Sequence, residues 1–371
     1  MNKYLEFYEK YKISPVVQNI ENFQKHIKRR TNLYRQLGVT PLSFKEKDIL
    51  EIGPGGGYNA IVTYTYEPKT YTLVEPNTTG FNELKSNFEK INQGNVEFYN
   101  CMLEDFNSGK QYDIIMCEGL IPGLSNKEDF IEKVLKLLKP NGIFILTTAD
   151  QISMFFEMIR KYMANILIED CSSIEQKVKV LVDSFSTHLD TLDGMTRSHE
   201  DWCLDNLIGD AVYEHSFSIN DAISLMRNEF HLLGSSPDLF SNYYWYKELP
   251  TDIVEYNQIF EEQFFGLWHT FLDYRCINQV RESDKNKELA QYCLDFINKI
   301  KSNQPKSEMV ELLKKIRANL ENDVKKITLD SLDEVIFTLQ EDFNEESISK
   351  MKSFKSAFGR GQSYISFVKE V

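Results

Sequence analysis

No C-x-x-C pair occurs in this chain, and its six cysteines (Cys101, Cys117, Cys171, Cys203, Cys276 and Cys293) are scattered. That excludes a disulfide framework and a structural zinc site, and the thiols read as buried or free groups of a reducing compartment. No stretch approaches the roughly 18 uncharged apolar residues of a membrane span. The first residues, MNKYLEFYEKYK, show no apolar signal-peptide core. The chain is therefore expected to be cytoplasmic, with no membrane partner. A basic excess is also missing: 42 Lys and Arg face 56 Asp and Glu, for a formal charge of −14. Gripping a phosphate backbone needs clustered cations, so no nucleic-acid partner is expected. Internal repeats and low-complexity tracts are absent too.

What remains is a composition of 42% hydrophobic and 26% charged residues, with 25 Phe and 19 Tyr. That is ordinary for a soluble globular protein with a sizeable core. At 371 residues, the chain is long enough for two domains, or for one domain with a large insertion.

Residues 47–150 alternate short β-rich runs with helical patterns, as in a parallel α/β sheet. The predicted strands are Asp48–Ile52, Thr70–Val74, Val96–Cys101, Tyr112–Cys117 and Gly142–Thr148. Lys139-Pro140-Asn141-Gly142 reads as a turn that ends a helix over Glu128–Leu138. A helical cap is expected over 1–46, with a continuous basic helix at Phe23–Leu37 whose charges suit a solvated face. Residues 151–228 read as a helical insertion. Two further strands are predicted within 229–250, at Phe230–Gly234 and Tyr243–Lys247, and the remainder, 251–371, reads as helical.

The sharpest motif is Ile49-Leu50-Glu51-Ile52-Gly53-Pro54-Gly55-Gly56-Gly57. A buried strand runs there into a glycine turn and then into a helix starting near Tyr58. Missing side chains let a ligand lie against the backbone, beside the free N–H groups of a helix start. The dinucleotide fingerprint G-x-G-x-x-G would need a glycine where Tyr58 stands. Glu51, two residues before the first glycine, would repel a pyrophosphate but suits a cation. Glu75 ends the second strand 22 residues after Gly53, placed to accept both hydroxyl protons of a ribose. Glu104 and Asp105 follow the third strand, where an adenine edge would fall. Adenosine, a positive centre and no pyrophosphate together describe S-adenosylmethionine.

On these residues the segment resembles a class I S-adenosylmethionine-dependent methyltransferase. Glu51, Gly53, Gly55 and Gly57 match the family's acidic residue-x-Gly-x-Gly-x-Gly motif, and Glu75 its ribose-binding acid. The resemblance implies adenine contacts from Met102, Leu103 and Glu104, and a contact to the methionine part near Glu118. It also implies a Rossmann-like, doubly wound seven-stranded sheet of order 3-2-1-4-5-7-6, with the last strand antiparallel. Flanking words (Arg29-Arg30-x-x-x-Tyr34, Glu75-Pro76-Asn77, His199-Glu200-Asp201-Trp202 and Gly359-Arg360-Gly361-Gln362) look like a bacterial subgroup found among surface-polysaccharide enzymes.

Acceptor residues are sought in the insertion and the last residues. Thr196-Arg197-Ser198-His199-Glu200-Asp201-Trp202 concentrates a cation, an imidazole, carboxylates and an indole. His199 and Asp201 are the candidate bases, with Arg197 and Trp202 beside them for binding. The same word also reads as a helix start, with Ser198 as N-cap and acids favoured by the helix dipole. Arg360 and Gln362 either hold an anionic or hydroxyl-rich acceptor or belong to a turn that brings the chain back onto the body. The expected function is O-methylation of a polar small molecule such as a sugar, with a helical roof and no metal. N-methylation comes next. A non-catalytic binding subunit also stays open, its helical C-terminal third joining a partner or a second copy in a homodimer.

Overall fold

A computed structural model of the chain describes Glu6 and residues 22–91, 94–195, 197–209, 217–226, 229–239 and 244–370. The stretch 1–21 of the expected helical cap therefore lies outside the described residues, Glu6 excepted, as do Thr196 and Tyr243.

The strand predictions rested on short apolar runs, and the inner ones form strands because they are buried on both faces of a sheet, while β3 is a half-buried edge. Helix α1 (Phe23–Gln36) is capped by Asn22, whose side chain accepts from Lys25 N. Then come β1 (Asp48–Ile52), α2 (Tyr58–Tyr64), β2 (Thr70–Val74), α3 (Thr78–Glu89) and β3 (Val96–Tyr99). After β4 (Tyr112–Cys117) follow α4 (Lys127–Leu137) and β5 (Leu138–Thr148). Asn77 and Asn126 cap α3 and α4 by accepting from Gly80 N and Asp129 N, satisfying donors that a helix start leaves orphaned. The predicted turn at Lys139–Gly142 survives as an irregularity inside β5. Asn141 takes φ +59°, and pairing jumps from Tyr112↔Leu138 to Ile114↔Ile143.

β6 (Phe230–Ser236) and β7 (Ser363–Lys369) complete a seven-stranded sheet of order β3-β2-β1-β4-β5-β7-β6. Strands β1 to β5 are parallel, and β7 is antiparallel to both β5 and β6. The strand order implied by the resemblance is present.

Its seventh strand is not where the sequence placed it. The aromatic run ending at Lys247 forms a 3-10 turn at Tyr246–Glu248, with Tyr244, Trp245 and Tyr246 more than half exposed. A strand lying between two others needs both faces buried. Ser363, Ile365, Ser366 and Phe367 meet that condition, all at 2% exposure or less. On one face of the sheet Tyr34, Leu37, Phe44, Ile49, Tyr71 and Met116 form a core. Burying each large side chain there contributes about 1.5–3 kcal/mol.

The chain divides into two compact units. The first comprises Met1–Thr148, Phe217–Glu261 and Gln362–Val371 and holds the sheet. The second comprises Ala149–Ser216 and Glu262–Gly361 and is helical, so the insertion and the C-terminal region, read apart in the sequence, contribute to one body. Arg160, fully buried, ties its two segments together. It donates to the carbonyls of Ala357 (2.7 Å) and Phe354 (3.0 Å), and its guanidinium lies 3.8 Å from the Phe358 ring centroid. Among the described residues no helix is long and apolar enough to cross a membrane.

Candidate functional site

The carboxyl end of β1 runs into a turn that only glycine builds without strain. Gly57, the N-cap of α2, has φ +81°, and a Cβ there would sit 2.3 Å from Leu84 Cδ1. Gly55, at φ +55°, turns its N–H to Glu75 Oε2 at 2.7 Å. Glu75 Oε1 accepts from Asn77 N at 2.8 Å. A buried carboxylate at the end of β2 thus clasps the glycine turn through one oxygen and its own loop through the other. Burial pushes Glu75 up to about 7, against the two N–H donors that favour its charge. Asn100 Nδ2 fixes the adjoining backbone by donating to Glu75 O at 2.8 Å.

After β3, Leu103–Asp105 make one 3-10 turn. Leu103 is buried, Met102 half-buried, and Glu104 and Asp105 are both exposed. Lys133 Nζ holds the Glu104 carbonyl at 2.5 Å, which leaves the Glu104 carboxylate turned to the outside.

Glu51, buried, and Glu118, half-buried with a side chain only 7% accessible, stand at the ends of β1 and β4. Tyr71 Oη donates to Glu51 Oε2. Glu51 is pushed up to about 7, first by burial and then by the nearby negative charge of Glu118; the Tyr71 hydroxyl and Arg30 oppose this. Glu118 is held by Arg30, whose Nη2 lies 2.5 and 2.7 Å from its two oxygens, with Tyr34 Oη at 3.3 Å. The guanidinium is paired with Glu118, while Glu51 is held by the Tyr71 hydroxyl and feels Arg30 only at longer range. Next along the chain, Gly119 N donates to Thr147 Oγ1 at 2.6 Å, and the Gln362 amide lies 3.5 Å from where a Gly119 Cβ would stand.

Tyr71 and Tyr364 are residues the sequence reading missed here, and Arg30 and Tyr34 entered it only as part of a subgroup word, with no site role. Arg30 was assigned to a solvated basic face. The signal lay in the spacing Arg30-x-x-x-Tyr34, which puts both side chains on one face of a helix. The partner, Glu118, is 88 residues away.

Arg197, His199, Asp201, Trp202 and Arg360 belong to the second unit, and Gln362 to the first. Ser198 Oγ accepts from Asp201 N at 3.1 Å, so it does cap the short helix His199–Cys203. Arg197 Nη1 pairs with Asp205 at 2.7 Å, and its Nη2 reaches the Asp201 carbonyl at 3.4 Å. His199 Nε2 stands 3.5 Å from Asp190 Oδ1. Trp202 is buried with its ring edge-on to Phe358, 6.4 Å between centroids. Arg360 donates to the carbonyls of Thr270 (3.3 Å) and Cys276 (3.2 Å). The Arg197, His199, Trp202 and Arg360 side chains thus each have a structural partner, while Asp201 contributes its backbone N–H and carbonyl.

Residues 43–184 match the family described as "Methyltransferase domain". The chain is 31% identical over 144 residues to the ribosomal RNA small subunit methyltransferase G of Mycoplasma capricolum, covering 38% of this chain and 58% of that protein. It is 28% identical over 110 residues to the ubiquinone biosynthesis O-methyltransferase of Rickettsia bellii, covering 28% and 42%. This chain thus spans about half the length of the curated relatives it matches. Among solved structures, PKMT2 of Rickettsia typhi aligns over 90% of this chain and 72% of its own, at 13% identity and a TM-score of 0.45.

Proposed function

We propose, on the premise that residues 43–184 form a methyltransferase domain, that the chain is an S-adenosylmethionine-dependent methyltransferase of a polar small molecule. O-methylation of a sugar or sugar-like hydroxyl is the reading we favour. The observation that carries the cofactor half is the buried Glu75 carboxylate joined to Gly55 N–H. It lies at the carboxyl end of a parallel strand, where open sheets bind ligands.

The residues present suit the cofactor. Glu75 keeps lone pairs for two ribose hydroxyls beyond the N–H groups it already accepts. Gly53 and Gly55 leave backbone free of side chains for close approach, Gly57 lets α2 start against Leu84, Met102 and Leu103 offer an apolar edge to adenine, and Glu104 an acceptor. Glu51 and Glu118 suit an ammonium group. When bound, S-adenosylmethionine supplies a methyl on a positively charged sulfur, open to in-line displacement. The protein's part is alignment, which is where most of the acceleration for such a step arises.

An oxygen or nitrogen acceptor must also lose a proton. His199 or Asp201 is assigned to take it, and Arg197, Trp202, Arg360 and Gln362 to hold the acceptor. A net charge of −14 favours a small acceptor over RNA, although one matched relative is named for ribosomal RNA. N-methylation of a small molecule or peptide is the next reading. A non-catalytic binding subunit is a third, with the helical segments as an interface for a second copy.

Calorimetric titration with S-adenosylhomocysteine, with NAD as control, tests the cofactor half. Saturable binding of the first alone supports it, and no binding of either overturns it. Transfer of labelled methyl to a panel of hydroxyl and amine acceptors tests the rest. Strong salt-sensitive retention on heparin would sink the small-molecule reading.

A further inference from the structure

Arg30 is a buried arginine on a helix whose neighbouring cations are exposed. Its side chain and that of Glu118 are each 7% accessible. The Arg30 Nη2 meets both Glu118 oxygens and Tyr34 Oη (2.5 Å), and the guanidinium lies 5.9 Å from the Tyr364 ring centroid. Fold stability does not account for this arrangement. Taking two charges out of water is expensive, and an apolar pair of similar volume does as well or better in such a place. The cluster becomes intelligible when Glu51 is counted. Glu51 stands close enough to Glu118 to feel its negative charge, and Arg30 opposes that effect. Arg30 is the one cation paired with this cluster among the described residues.

We propose that Arg30 is a positioning residue for the amino-acid end of the cofactor, holding Glu118 fixed at the carboxyl end of β4 so that Glu51 and Glu118 together receive an ammonium group. The inference rests on the proposed reading that this edge of the sheet faces the methionine part. It makes α1 a working part of the binding site instead of a cap.

The test uses two probes that share adenosine and differ at the other end. S-adenosylhomocysteine carries the amino-acid group, and 5′-methylthioadenosine lacks it. Both are titrated into the full chain and into Arg30→Met, Arg30→Lys, Glu118→Gln and the double variant Arg30→Met/Glu118→Gln. Arg30→Met is expected to weaken S-adenosylhomocysteine by about tenfold or more, and methylthioadenosine by no more than about twofold. Arg30→Lys, which keeps the cation, should restore most of the loss. In the Glu118→Gln background the Arg30→Met change should have little further effect, because the residue through which it acts is neutral.

Equal losses for the two probes would overturn the proposal, as would the same Arg30→Met penalty in both backgrounds. Should Arg30→Met alone not fold, the double variant leaves no unpaired buried charge and still gives the decisive comparison with Glu118→Gln. If the unaltered chain binds neither probe, it is the cofactor reading that fails; binding of both with no Arg30 effect defeats this inference alone.

Discussion

Glu75 and Gly55 are joined by a 2.7 Å hydrogen bond across 20 residues. The end of β2 and the glycine turn after β1 therefore hold one another in place before any ligand arrives. Removing the carboxylate releases the turn and, on the proposed function, deletes the acceptor for ribose.

Glu75→Ala should accordingly weaken S-adenosylhomocysteine by about 10–100-fold, the range for losing hydrogen bonds to a charged group. Asp201→Ala should change it by less than about threefold. Calorimetry on both variants checks this. Equal losses with the fold intact would mean that the division into cofactor and acceptor residues is wrong.

The turn itself should resist substitution. Gly57→Ala places a Cβ against Leu84 at a φ of +81°, which adds strain to a clash. A loss of about 1–3 kcal/mol of stability is expected, seen as a fall of several degrees in Tm. An unchanged melting curve would contradict the geometry described for α2.

Acidity gives a third handle. Burial raises Glu75 from 4.5 to about 7 in the folded chain, so the folded state binds a proton more tightly than the unfolded one. Its contribution is fully present below about pH 4.5 and is lost as pH rises through about 7. The cost reaches at most about 3 kcal/mol. Glu75→Gln removes this dependence, so its stability relative to the parent should improve between pH 5 and pH 8 in urea titrations. The amide's own constant cost cancels in the comparison. A difference that does not move with pH would rule out an acid of raised pKa at this position.

Base and helix cap can be separated on the short helix at 199. His199→Ala should lower turnover by about 10²–10⁴-fold if the imidazole takes the acceptor proton, with cofactor affinity unchanged. Ser198→Ala removes only the cap and should cost about 1 kcal/mol of stability, leaving turnover per folded molecule the same. Should both variants cut turnover alike, His199 serves the helix and not the reaction.

Much of the sheet was legible because its inner strands obey a local rule. Asp48–Ile52, Thr70–Val74 and Tyr112–Cys117 are short apolar runs that end at charged residues or glycine, and each forms as read. Glu51, the glycines and Glu75 were legible because their spacing follows from one strand, one turn and the next strand. The seventh strand was not, since β-prone aromatics at 244–246 promise burial that only the tertiary environment grants. Ser363–Lys369 lay in a stretch read as helical, and nothing local says which strands it joins. Arg30 was hidden for the same reason. A solvated cation and a buried one look alike in a sequence until a carboxylate 88 residues away is brought beside them.

The position of β7 also orders the birth of the molecule. Its hydrogen bonds supply the ladder that holds β6, which among the described residues pairs with no other strand, and it covers the outer edge of β5. A chain emerging from the ribosome can pair β1 through β5 early, but β6 stays an unzipped strand until residues 363–369 have appeared. Through that interval the edge of β5 is bare, and bare edges recruit strands from other chains. Synthesis of this protein therefore has a vulnerable stage, more than a hundred residues long, that closes only when the last strand slots into its gap.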